Sequence, residues 1–306
     1  MINTVLGTIK NNELGLTLCH EHFVVDFGGA DTPTHYNREE IIATTLPFLS
    51  YLKELGCNTI VDATPNGLGR NIDLLVEASS KSGINFITCT GGWDGLQFDG
   101  KYIPSTIKNM STEEIVDFWS NEFFNGINGT SVKPGFIKIA LGDSGFLTDF
   151  QLRILLAAIE TSLKTNLPIH CHCESSKVIE EISHMLEKEN FPLNKFVWLH
   201  CDIEKNTRLI KKLAQEGMWV SFDYTLARAN DFTWYIEMIN SMNESGLIGR
   251  LLISQDHCIY DLDEKICKKS MDWVFKDLML LLKDSGFSQE ILDKIFIKNP
   301  SIVFNI

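Results

Sequence analysis

The histidines of this chain are few and unevenly placed: of eight, five stand in His20-Glu21-His22, His170-Cys171-His172 and at His200. Residues two apart on a strand point the same way, so His20 and His22 can share one metal ion. The same spacing puts His170 and His172 on one face and does not choose between them. His172 is nearer the strand end, which places His170 one layer deeper. Lys138, in Gly135-Phe136-Ile137-Lys138-Ile139, and Asp256, in Ser254-Gln255-Asp256, stand in or just after further apolar runs. Each residue alone has an ordinary explanation: a hydrogen-bonded core histidine, a snorkelling lysine, an aspartate capping a helix. Five histidines gathered at the ends of three strands favour a metal site. Nitrogen and carboxylate ligands without cysteine suit Zn²⁺ foremost, and also Mn²⁺, Co²⁺ or Fe²⁺. By the same alternation Cys19, Cys171, Cys173 and Cys201 point to the opposite face as small packing groups. Glu21 also points away, as a structural or supporting carboxylate.

Strands must position these groups. Short apolar runs cover Leu16–Phe23, Thr59–Ala63, Phe86–Cys89, Phe136–Ala140, Pro168–Cys173, Phe196–His200, Met218–Phe222 and Leu251–Ser254. Amphipathic stretches lie between them: Glu39–Leu55, Asn71–Ser82, Gln151–Thr165, Ser176–Glu189, Glu204–Glu216, Phe232–Ser245 and Ser270–Asp284. Continuous apolar strands alternating with amphipathic helices predict a parallel sheet covered by helices. Eight such units predict a closed α/β (β/α)8 TIM barrel, whose reactive residues lie at the C-terminal strand ends. An open doubly wound sheet is the alternative, but no Gly-x-Gly-x-x-Gly follows a strand. Thr4–Ile9 and the turn through Asn11-Asn12 predict a short N-terminal hairpin before strand one. With no Pro-, Gly- or Ser-rich linker, residues 1–306 read as one domain.

The composition excludes several classes. A formal net charge of −13, with no offsetting run of Lys and Arg, argues against nucleic acid and anionic membrane as partners. No stretch reaches the roughly 18 apolar residues of a membrane span, and the first residues do not resemble a signal peptide. Eight scattered cysteines read as reduced thiols, so the expected compartment is the cytoplasm.

In this order the motifs resemble the phosphotriesterase family of the amidohydrolase superfamily, which includes the phosphotriesterase-like lactonases. The similarity runs from Thr4 to the C-terminus through Gly15–His22, Gly135–Ile139, Pro168–Cys173, His200-Cys201-Asp202, Phe222-Asp223, Ser254–Cys258 and Lys298-Asn299-Pro300-Ser301. The resemblance implies two divalent ions. His20, His22 and Asp256 would hold the more buried one, and His172 and His200 the more exposed one. Lys138 would be carboxylated to a carbamate that bridges both. It further implies ester hydrolysis by a metal-activated hydroxide, with Asp256 moving the proton to the leaving group.

The substrate is less sharply written. In true phosphotriesterases a histidine follows the strand-seven Asp and joins a proton relay, whereas this chain has Asp223-Tyr224, and Ile203 where the outer acid would stand. Ser254-Gln255-Asp256-His257-Cys258 resembles the lactonase branch instead. A lactone is therefore the expected substrate, sugar-derived or phosphorylated in one version, since the segment after Asp256 suggests a small lid. The alternatives are a phosphotriesterase-type ester hydrolase and another amidohydrolase-superfamily enzyme. Trp93 and Arg228 are candidate substrate-binding residues in loops. The expected partner is a small ester or lactone, and homodimers are common in the family.

Overall fold

The computed structural model describes residues 1–32, 35–93, 100–142, 145–228, 232–267 and 269–306. A hairpin of β1 (Ile2–Thr4) and β2 (Gly7–Ile9) precedes the barrel. Its turn falls at Val5-Leu6, earlier than the sequence suggests, and Asn11–Glu13 forms a separate 3-10 turn. The strands then run β3 (Thr17–Val25), β4 (Thr59–Asp62), β5 (Asn85–Ile87), β6 (Cys89–Trp93), β7 (Phe136–Ala140), β8 (Ile169–His172), β9 (Phe196–Leu199), β10 (Trp219–Phe222) and β11 (Leu251–Ile253). All neighbouring pairs from β3 to β5 and from β6 to β11 are parallel. The third barrel strand, expected as Phe86–Cys89, is longer and broken at Thr88, so β5 pairs back to β4 while β6 pairs forward to β7. The chain is a (β/α)8 barrel.

Helices α1 (Arg38–Glu54), α2 (Ile72–Ser82), α3 (Ser105–Lys108), α4 (Thr112–Asn125), α5 (Asp149–Thr165), α6 (Ser176–Lys188), α7 (Thr207–Glu216) and α8 (Thr233–Glu244) fill the connections. All but α3 and α8 start where a side chain caps them: Asn71 accepts from Leu74 N, and Thr148 with Gln151 forms a capping box. The sequence reading omitted α4, although Ser111 and Glu114 spell the same capping box at its start. Each helix buries one stripe, as with Leu209, Ile210, Leu213 and Ala214 of α7. The expected helix over Ser270–Asp284 is interrupted: a 3-10 turn at Lys269–Asp272 and a π-turn at Val274–Leu278 precede α9 (Met279–Asp284). Two short helices, α10 (Gln289–Asp293) and α11 (Asn299–Val303), end the described chain.

Both faces of the strands are buried, which is why the runs are continuously apolar. Outward residues such as Ile60, Ile137, Ile169 and Val220 pack under the helices. Inward residues Val61, Phe136, Val197, Leu199, Trp219 and Leu252 fill the barrel, with Ile2, Leu14 and Phe304 closing its lower end. Each fully buried side chain of this kind contributes roughly 1.5–3 kcal/mol. Cys171, Cys173 and Cys201 pack in the outer layer as alternation requires. Cys19 does not: the register of β3 slips between Leu18 and Glu21, and Cys19 joins the inner cluster.

One close approach and one buried ion pair hold the upper end. Gly91 has φ +109, and a Cβ there would come within 2.1 Å of the Lys138 carbonyl, so only glycine lets β6 approach the lysine strand. Arg70, between β4 and α2, donates to the Cys89 carbonyl at 2.8 Å and to both carboxylate oxygens of Glu122 on α4. Both side chains of this ion pair are almost wholly buried, at 1% and 3% exposure. Removing one partner leaves an uncompensated buried charge. Glu122→Ala is expected to lower unfolding free energy by about 3–5 kcal/mol, read from the midpoint of urea denaturation. A loss below about 1 kcal/mol would show that water reaches Arg70.

Candidate metal centre

The barrel strands deliver the six predicted ligands to one place. His20, His22, Lys138, His172, His200 and Asp256 line a single cavity of about 210 Å³ at the C-terminal strand ends. Two of them reach it by unusual backbone. His200 has φ +63 and Asp256 has φ +48, left-handed conformations that turn their side chains where plain alternation would not. His200 thereby enters the cavity directly after Leu199, which already faces inward.

The donor atoms converge. His22 Nε2 lies 3.1 Å and His20 Nε2 3.4 Å from Asp256 Oδ1, and His200 Nε2 lies 3.9 Å from Asp256 Oδ2. Lys138 Nζ is 3.2 Å from His20 Nε2. The His172 and His200 rings pack edge to face with centroids 4.4 Å apart. Donors of His20, His200 and Asp256 lie within 4.8 Å of one another, so this trio can close on one cation. It spans the two ligand sets that the family resemblance separates. His170 sits deeper, 1% exposed, against the rings of Phe136 and Phe304.

Electrostatics favour a cation. Burial, then Lys138, lowers His20 well below its ordinary value, and burial, then His172, does the same to His200. Burial lowers Lys138 as well. Burial alone would raise Asp256, but His20, His22 and His200 hold it well below the usual carboxylate range. Neutral imidazoles beside a carboxylate are a donor set for a divalent ion. His200 Nε2 is buried and has no hydrogen-bond partner, as a ligand nitrogen awaiting its ion would be.

Buried carboxylates, only partly legible beforehand, stand behind these groups. Asp223 Oδ2 accepts the His200 backbone N–H at 2.9 Å and lies 3.4 Å from His20 Nδ1 and 3.6 Å from His200 Nδ1. Ser221 Oγ donates to its other oxygen at 2.6 Å. With Nδ1 turned to Asp223, both rings present Nε2 to the cavity. On the other side Thr64 Oγ1 donates to Asp62 at 2.9 Å and so accepts from His22 Nδ1, also at 2.9 Å. Burial pushes Asp62 up to about 6. Asp202 accepts from Tyr235 Oη at 2.6 Å and from the Tyr224 N–H at 3.0 Å, and burial pushes it up to about 6. The sequence pointed to Asp202 and Asp223 through His200-Cys201-Asp202 and Phe222-Asp223, without giving them this task. Asp62 and Thr64 went unnoticed, since Asp-Ala-Thr after an apolar run carries no distinctive spacing.

The two substrate-residue expectations fare differently. The Trp93 side chain lies outside the described residues. Arg228 does not line the cavity; its guanidinium donates to the Ile203 carbonyl at 2.9 Å and ties two loops together. The segment after Asp256 is not a plain short lid. It forms β12 (Cys258–Asp261), which pairs parallel to the upper half of β3, and β13 (Ile266–Cys267), which folds back on β12.

A (β/α)8 barrel carrying a histidine–carboxylate cluster at its strand ends defines a class of hydrolases. This chain belongs to the phosphotriesterase family, whose sequence model matches residues 1–304, and is a hydrolase of that family. It is 28% identical to an aryldialkylphosphatase of Saccharolobus solfataricus, over 97% of each chain. It is 25% identical to a phosphotriesterase homology protein of Escherichia coli, over 95% of this chain and 98% of the relative. A human N-acetyltaurine hydrolase is 24% identical, over 98% and 96% respectively.

If Asp223 sets the orientation of two ligand rings, Asp223→Asn should weaken metal binding by roughly 10–100-fold, measured by chelator competition. Unchanged affinity in a folded variant would mean that packing alone aims His20 and His200.

Proposed function

We propose that this chain is a binuclear metal-dependent hydrolase that opens a neutral lactone, with Lys138 carboxylated and shared between the ions. The observation that carries this reading is Lys138 itself. A buried lysine 3.2 Å from the His20 nitrogen repels cations as an ammonium, but supplies two anionic oxygens as a carbamate. Burial lowers its pKa towards the free amine, the form that takes up carbon dioxide. His20, His22, Lys138, His172, His200 and Asp256 would hold the ions, Zn²⁺ foremost. When bound, two such ions supply hydroxide near neutral pH and polarise the oxygen of a carbonyl or phosphoryl group.

The side chains complete the reaction. Asp256, a quarter exposed and held well below the usual carboxylate range, takes the proton of the attacking hydroxide and passes it to the leaving alkoxide. Val25, Phe27, Pro65 and Leu68 form an apolar wall of the cavity, against which the body of the substrate packs and from which water is excluded. Among the described residues, no cation other than Lys138 lines the cavity. That favours a neutral lactone over the phosphorylated one that the sequence allowed. The resemblance of Ser254–Cys258 to the lactonase branch supports a lactone. The likeness to an aryldialkylphosphatase supports a second reading, hydrolysis of a phosphate triester.

Elemental analysis of protein grown with metal and bicarbonate is expected to give two ions per chain, falling below one in Lys138→Ala. One ion in both proteins would refute the bridged centre. Asp256→Asn should lower kcat on lactones by about 10²–10⁴-fold while keeping most of the metal. Lactones, aryl dialkyl phosphates and N-acyl amino sulfonates assayed side by side decide between the readings, and lactones are expected to give the highest kcat/KM.

A further inference from the structure

Two side chains beside the cavity have no part in the chemistry above. Glu174 follows His172 by two residues, and Tyr224 follows Asp223. The Tyr224 hydroxyl donates to Glu174 Oε1 at 3.2 Å, and its ring meets the His200 ring edge-on with centroids 5.3 Å apart. A phenol keeps its proton at neutral pH, so Tyr224 is the donor of this pair. Glu174 Oε1 lies 3.8 Å from His172 Nε2, and the side chain is one-third exposed. The acid therefore sits between a ring that lines the cavity and the solvent, pinned by a tyrosine braced on a second such ring.

The walls are asymmetric as a result. Val25, Phe27, Pro65 and Leu68, from the strand-one and strand-two side, are apolar. On the strand-five and strand-seven side His172 and His200 line the cavity, and Glu174 stands behind His172 with no lysine or arginine, among the described residues, paired to its charge. Arg228, the arginine next along the strand-seven segment, spends its guanidinium on the Ile203 carbonyl.

We infer that Glu174, held by Tyr224, is a charge filter for substrate. It rejects esters bearing a sulfonate, phosphate or carboxylate and favours those with a cationic or hydrogen-bond-donating group beyond the scissile bond. The inference rests on the hydrolase reading above and adds the substrate class to it. A carboxylate in that position raises the local concentration of cations and lowers that of anions. Because Glu174 is partly exposed, the effect is moderate and falls with salt.

The test uses the metal-loaded enzyme and three lactones (cyclic esters) with one ring scaffold, carrying a trimethylammonium, a tert-butyl or a sulfonate group. Wild type is expected to show kcat/KM highest for the cation and lowest for the anion. In Glu174→Gln the cation-to-anion ratio should fall by roughly tenfold, and in wild type 0.5 M salt should compress the same ratio. Tyr224→Phe, which frees Glu174 without removing its charge, should keep the sign of the preference and shrink its size. Metal content is measured on every variant. A ratio unchanged in Glu174→Gln with metal retained overturns the filter. So does loss of metal with an equal fall on all three esters, since Glu174 would then serve only to hold His172. If wild type with two ions hydrolyses none of the three, the ester-hydrolase reading itself fails, and the filter with it.

Discussion

The Glu21 carboxylate accepts hydrogen bonds from Ser254 Oγ at 2.6 Å, His257 N at 3.0 Å and Gln255 N at 3.3 Å. Burial pushes this acid well up, against the pull of those three donors. It joins the end of the last barrel strand to the first, where regular ladder pairing gives out. Ser254 Oγ in turn accepts the His20 N–H at 3.1 Å, and the Asp256 N–H reaches the His20 carbonyl at 3.1 Å. Barrel closure and the placing of Asp256 against His20 and His22 are thus one arrangement. A buried carboxylate left with fewer donors would be costly, so the seam is held as a unit.

From that seam the site is built outward in two polar layers. The inner layer is poor in net charge: His20 and His200 held neutral by burial, a lysine lowered by burial and a carboxylate held ionised by its neighbours. A divalent ion held by these donors would supply the positive charge that this layer lacks. The outer layer, Asp62, Asp202 and Asp223, receives donors from backbone, serine, threonine and tyrosine, and Asp223 stands 3.4 and 3.6 Å behind the His20 and His200 rings. Both layers stand above the apolar filling of the barrel, where Phe136 and Phe304 hold His170 out of the site. Adjacent histidines on one strand therefore take different parts because depth along the barrel changes what surrounds them.

The loops are less uniform than the strands. The β12–β13 hairpin extends the first strand beyond the barrel rim and brings Cys258 to the cavity beside Val25 and Phe27. Its parallel register with β3 gives the mouth a rigid apolar wall. The opposite rim is polar, formed by Glu174 and Tyr224 near His172 and His200. Selectivity against anionic substrates would follow from that contrast more than from any single contact.

How much was legible follows from the range of each interaction. Strand positions, most of the covering helices (α3, α4 and the interrupted stretch over Ser270–Asp284 apart) and the six candidate ligands are local matters. They depend on apolar runs, on period-two alternation and on residue chemistry, all of which neighbours in sequence fix. The slip that turns Cys19 inward, the break at Thr88 and the left-handed turns of His200 and Asp256 were not legible. Each depends on how one strand meets another. Asp223 could be named as part of a motif, but its place between the Nδ1 atoms of His20 and His200 exists only when β3, β9 and β10 close into one barrel. Arg228 had the right chemistry for a substrate anchor, and a carbonyl from the neighbouring loop claimed it. By itself, then, the sequence determined which side chains could do chemistry and on which elements they ride. The tertiary structure decided which of them meet, which nitrogen each ring presents and what charge the walls carry, because those depend on distances between residues far apart in the chain.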